Sequence, residues 1–81
     1  MLTRIIAARY LGGHTVWLRF NDGLEGPVDL SAELIGEVFE PLRDEAYFAR
    51  VELHQELHTL VWPNGADFAP EFLREKLLVA A

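Results

Sequence analysis

The chain has 81 residues, 51% of them hydrophobic, which bounds it to a single small domain (1–81) with enough apolar content for a core. Thirteen Asp and Glu against seven Lys and Arg give a net charge of −6, which repels phosphate backbones and argues against direct nucleic-acid binding. There is no cysteine, so no disulfide framework, thiolate metal site or cysteine nucleophile is available.

Residues 3–11 are rich in Ile, Ala and Tyr and run into Gly12-Gly13, which reads as a first strand closed by a turn. Residues 14–20 are the clearest strand. Val16, Leu18 and Phe20 alternate with Thr15, Trp17 and Arg19, so one set faces a core and the other faces away. Asn21-Asp22-Gly23 is the strongest hairpin signal in the chain. Residues 24–30 return as a third strand, and Pro27, with no donor for a ladder, places it at an edge or beside a bulge. Ser31 suits the cap of a short helix over 32–35 that Gly36 ends.

Val38, Phe39 and Leu42 anchor a connector to the core, and Asp44 suits the cap of a helical turn over 45–49. Residues 50–54 and 58–62 read as a fourth and a fifth strand joined by a turn at Gln55-Glu56. Pro63-Asn64-Gly65 stops the sheet. Pro70 opens a terminal helix, with Glu71 at the positive end of its dipole. Leu73, Leu77 and Ala80 form its apolar stripe, Phe72 and Leu78 flank it, and Arg74, Glu75 and Lys76 face water. The sum is a two-layer α+β domain: a mostly antiparallel sheet of about five strands, short helices, and a C-terminal helix packed on one face.

Few residues suggest chemistry. His54 and His58, with Glu52 or Glu56 near, could begin a metal site, but such sites need three or four protein ligands, and two polar residues at a hairpin end is the plainer reading. No metal site and no cofactor is expected. Asp22 and Asp67 sit beside glycines where carboxylates bond local backbone. Ser31 lacks an elbow motif, and a triad would need His14, His54 or His58 brought to it by the fold. Asn64, Gly65, Asp67 and Pro70 read as the joint that lays the last helix on the sheet. Trp17, with Tyr10 on the same open sheet face, could anchor a protein partner or a homodimer. Pro27 marks an edge where a second route of association, strand pairing between subunits, could run.

The order Phe20-Asn21-Asp22-Gly23, Val28-Asp29-Leu30, Phe39-Glu40-Pro41-Leu42-Arg43-Asp44 and Val61-Trp62-Pro63-Asn64-Gly65-Ala66-Asp67-Phe68-Ala69-Pro70-Glu71 closely resembles the bacterial family catalogued as domain of unknown function 2442. The resemblance implies a small α+β domain similar to the fold named for the N-terminal domain of a nitrifying-bacterium protein. It brings no activity and no catalytic residues. It also implies a gene neighbourhood that looks like a toxin–antitoxin or regulatory pair. Ala69 stands where relatives often have Ser or Cys, so a capping oxygen is missing and Asp67 is the candidate to replace it.

The expected function is a non-enzymatic interaction or regulatory module, antitoxin-like, with a basic protein partner suited to the acidic charge. The alternative is a small metal-dependent hydrolase built on His54, His58 and an acid. No run is long enough to span a membrane, and the apolar start of the chain is too short for a signal segment, so the expected compartment is the cytoplasm.

Overall fold

A computed structural model describes residues 2–80, without the side chain of Ala80, which therefore lies outside what can be said of the helix stripe. Three strands, β1 (Ile5–Gly12), β2 (Thr15–Phe20) and β3 (Glu25–Asp29), form an antiparallel meander in the order β1-β2-β3. Two-residue strands β4 (Glu52–Leu53) and β5 (Leu60–Val61) pair separately. The expected single sheet of about five strands is thus two sheets, of three and two strands. The turn between β4 and β5 keeps the second pair short. His54 N–H bonds the Thr59 carbonyl, His58 N–H bonds the His54 carbonyl, and His58 adopts φ 54°, so the backbone leaves extended geometry on both sides.

β2 follows its sequence alternation. Val16, Leu18 and Phe20 are fully buried. The register brings Tyr10, Ala8 and Ile5 of β1 and Val28 and Gly26 of β3 onto that same core face. Helix α2 (Pro70–Ala80) lies across it, burying Leu73 and Leu77, each worth about 1.5–3 kcal/mol of apolar burial. Its seat is set by Gly26, where an added Cβ would lie 2.9 Å from Leu77 Cδ1.

The connector packs on the same face. It holds two 3-10 turns, Ser31–Glu33 and Glu40–Arg43, and one turn of helix, α1 (Glu45–Phe48). Phe48 and Leu42 are fully buried, and Phe48 meets Tyr10, His14 and Trp62 edge-on or tilted, with centroids 5.1–6.1 Å apart. Two caps differ from expectation. Ser31 makes no capping bond; the Asp29 carboxylate takes the Ser31 N–H at 2.9 Å instead, because it lies two residues upstream, in reach of an Asx turn. Asp44 occupies the cap position of α1 without a side-chain bond.

The surface of α2 is also less free than its sequence suggests. Arg74 Nε and Nη2 both donate to Asp22 Oδ2, at 3.1 and 2.7 Å, and Lys76 pairs with Glu33 at 2.8 Å. These pairs tie the helix to the β2–β3 turn and to the connector. No helix of the described residues is long and apolar enough to cross a membrane.

Candidate functional site

All helices pack on one face of the three-stranded sheet, so the other face is a platform. Its residues follow from the register. Ala7, Arg19 and Glu25 make one row across the strands, and Arg9, Trp17 and Pro27 the next; Thr15 is paired with Gly12 on one side and Asp29 on the other. Trp17 is therefore at the centre, half-buried, on the middle strand. The guanidinium carbons of Arg9 and Arg19 stand 5.7 and 5.4 Å from its ring centroid, within cation–π range. Arg19 also donates to Glu25 at 2.6 Å, whereas Arg9 has no ion pair among the described residues.

Tyr10 is not on this face. It pairs with Val16, packs against the core and donates its hydroxyl to the Gly13 carbonyl at 3.0 Å. The cause is a register shift between Ile5 and Ala7. One extra residue in β1 moves every later side chain to the opposite face.

Pro27 does mark an edge. Leu24 carbonyl accepts from Phe20 N–H and Leu30 N–H donates to the His14 carbonyl, so the even-numbered residues of β3 bond β2. Residues 25, 27 and 29 then present their backbone outward, and Pro27 offers a carbonyl there without a donor. The proline costs the sheet no hydrogen bond, and it interrupts the row of donors that an added strand would need.

Asn64 and Gly65 form the joint. Asn64 Oδ1 accepts from Ala66 N–H at 3.1 Å, and its Nδ2 donates to the Val38 carbonyl at 2.8 Å. Gly65 has φ +89°, and Pro70 is the first residue of α2. Asp67 is exposed, and among the described residues its carboxylate bonds nothing; its contribution is a backbone bridge to Val61. The polar fastening expected of it comes from Thr59, whose buried hydroxyl donates to the Phe68 carbonyl. A threonine just before a short strand carries no sequence signal for that task.

His54 and His58 both belong to the turn between β4 and β5. His54 Nδ1 accepts the N–H groups of Glu56 and Leu57 at 3.1 and 3.0 Å, so this ring caps a turn of backbone. Among the described residues no group of three or more His, Asp or Glu is arranged to hold a metal ion. His14 was outside the expected site, yet its Nε2 donates to the Arg43 carbonyl at 2.9 Å, which fixes the connector to the start of β2. It bonds neither Ser31 nor Asp29 among the described residues, so no nucleophile–base–acid chain forms there.

Two carboxylates are tuned. The Arg74 guanidinium, with help from Leu24 N–H, holds Asp22 below the usual carboxylate range. The Ser31 backbone N–H, and then its hydroxyl, do the same for Asp29. Both stay ionised for structural reasons, in turns.

A concavity of about 430 Å³ runs between β3 and α2 and is lined by Val28, Asp29, Phe72, Glu75, Lys76 and Val79. Its walls are mainly apolar, with no pair of groups set for acid–base work. A smaller one, about 220 Å³, lies between Ile5, Ile6, Leu53, Gln55 and His58.

Neither the curated proteins nor the solved structures hold a match to this chain. A family model described as "Protein of unknown function (DUF2442)" matches residues 5–77 of the 81. That span runs from the first core residue of β1 to the helix residue seated on Gly26, and so takes in both sheets, the connector and α2 as far as Leu77. The chain belongs to the DUF2442 family.

Proposed function

We infer that the protein is a non-enzymatic interaction module whose contact surface is the open face of the three-stranded sheet. One observation carries this: Trp17 stands at the centre of the uncovered face, on its middle strand, between Arg9 and Arg19. Trp and Arg are the side chains that most often dominate binding energy, and a central position shielded by neighbours is where they do so. A sheet is also a rigid support, so little ordering entropy is lost when a partner docks.

The chain's negative charge supports a basic protein as partner at long range. Ten of its 13 carboxylates stand outside the three ion pairs of the described residues, and six of those ten lie between residues 37 and 56, in the connector, β4 and the turn after it. Regulation or neutralisation of a small basic protein is the form of the reading that this charge favours. No observation favours the hydrolase alternative.

The test is capture from the native cell with wild-type chain and with Trp17→Ser, at low and raised salt. The reading expects one co-purifying protein that Trp17→Ser loses while keeping its fold, with recovery falling as salt rises. Equal capture by both chains would remove the open face from the function.

A further inference from the structure

The charges on the open face are sorted by strand. β1 contributes Arg9 and no acid. β2 contributes Trp17 and Arg19. β3 contributes Glu25 and Asp29 and no base. Basic and acidic columns therefore flank a central aromatic. This pattern is complementary to itself under one symmetry operation. If two copies face each other about a two-fold axis parallel to β2, β1 of each lies over β3 of the other. Arg9 of one copy then comes over Pro27 of the second, with Glu25 and Asp29 about 7 Å along the strand to either side, two residues at about 3.4 Å each. The two Trp17 rings meet at the axis. The two Arg19 side chains meet there as well, each already neutralised by Glu25 of its own copy, whereas a two-fold axis across the strands would set the unpaired Arg9 over Arg9.

We propose that the open face binds a second copy of this chain, as a face-to-face sheet dimer in which Arg9 of each copy pairs with Glu25 and Asp29 of the other around a Trp17–Trp17 centre. This rests on the open face being the contact surface, and it names the occupant. A two-fold contact uses the same patch twice, which is what a self-complementary charge pattern serves. Aligned sheets pack at about 10 Å with strands turned by about 30°, a separation that Arg and Glu side chains can bridge. Arg9 is the arginine free to reach across, since Arg19 is held by Oε2 of Glu25 within its own copy, and the other carboxylate oxygen of Glu25 is the one left for Arg9. Three short strands offer less than the roughly 800 Å² per partner of a standard interface, so the dimer is a weak one, in the micromolar range or above.

Sedimentation equilibrium of the full chain, from about 10 μM to about 1 mM at low and high salt, tests this. Wild type is expected to pass from monomer to dimer, with weaker association as salt rises. Arg9→Glu and Glu25→Lys are each expected to weaken the dimer at least tenfold, since each sets like charges against one another. A mixture of the two variants is expected to recover dimer, because both cross-copy pairs, Glu with Lys and Arg with Glu, are then attractive. Urea midpoints close to wild type confirm that the variants fold. A monomer at every concentration, or a mixture no heavier than its components, overturns the proposal. So does a dimer that Trp17→Ser leaves intact. If wild type is monomeric while Trp17→Ser still loses a captured cellular protein, the second copy is wrong and the binding face stands.

Discussion

Leu77 Cδ1 fills the space that a Cβ on Gly26 would need, at 2.9 Å, and this contact fixes how closely α2 lies on β3. Gly26 also has φ +156°, at the limit of what other residues adopt. Gly26→Ala is expected to cost about 1–3 kcal/mol by overpacking. Pairing it with Leu77→Val should give back part of that cost, because the smaller side chain vacates the clash. Urea unfolding of the two single variants and the double gives the coupling. Strict additivity would mean that helix and strand do not meet through this pair.

The joint before α2 makes a different demand. Gly65 has nothing within 4 Å of a would-be Cβ, so its requirement is φ +89° alone. Gly65→Val is expected to destabilise by about 1–3 kcal/mol, and Gly65→Asn by clearly less, since Asn tolerates positive φ. Asn64→Ala removes bonds to Ala66 N–H and the Val38 carbonyl and is expected to cost about 1–2 kcal/mol. Thermal melts rank all three; Gly65→Val melting above Gly65→Asn would contradict the backbone argument.

At the β4–β5 turn, His54 is expected to behave as a capping residue. His54→Ala should lose about 1 kcal/mol, as removal of a backbone cap usually does. His54→Asn should keep most of the stability, because its amide oxygen can take the place of Nδ1 as acceptor for Glu56 and Leu57 N–H. His58→Gly should be neutral or slightly stabilising, given φ 54° at that residue. Chemical denaturation distinguishes these. An Asn variant as weak as the Ala variant would show that the ring matters for something other than its acceptor nitrogen.

Acid should weaken the fold through Asp22 and Asp29. Both carboxyls titrate lower in the folded chain than in the unfolded one. Their contribution is therefore present above the unfolded value of about 3.9, and it is lost as pH falls through the lower folded values. The expected signature is a urea midpoint that is flat near neutrality and drops below about pH 4. Asp22→Asn and Asp29→Asn should each lower the midpoint at neutral pH and shallow the acid decline. A decline unchanged in both variants would place the acid sensitivity elsewhere.

Much of the architecture was legible because β2 alternates without interruption and the Asn-Asp-Gly turn after it leaves few alternatives. The family was legible as well, since the pattern from Phe20 to Glu71 survives almost whole. What escaped were features set by one residue or by distance. The bulge at Ile6 reverses the facing of β1, and nothing in Ile5-Ile6-Ala7-Ala8 distinguishes a bulged strand from a regular one. With it went Tyr10, assigned to the open face and found against Phe48. The Arg74–Asp22 pair joins residues 52 apart in sequence, and the Asp22 turn looked locally complete without it. At Asp29 and Ser31 either residue could have capped the turn, and only geometry decides. The open face was partly legible: Trp17 and Arg19 stood out by their alternation, whereas Arg9 needed the register of β1 on β2.

The place of Pro27 has a consequence for how far association can go. A contact between two broad faces closes after two copies, because each copy has one such face. Strand addition at β3 would have no such limit, since every added strand exposes a new edge of the same kind. With the central donor of that edge missing, growth of the sheet sideways into a fibre is blocked at its first step. Restoring the donor while keeping the extended backbone, as Pro27→Val would, should make the protein precipitate from concentrated solution with the spectroscopic marks of added β-structure, even though the folded monomer loses nothing by the change.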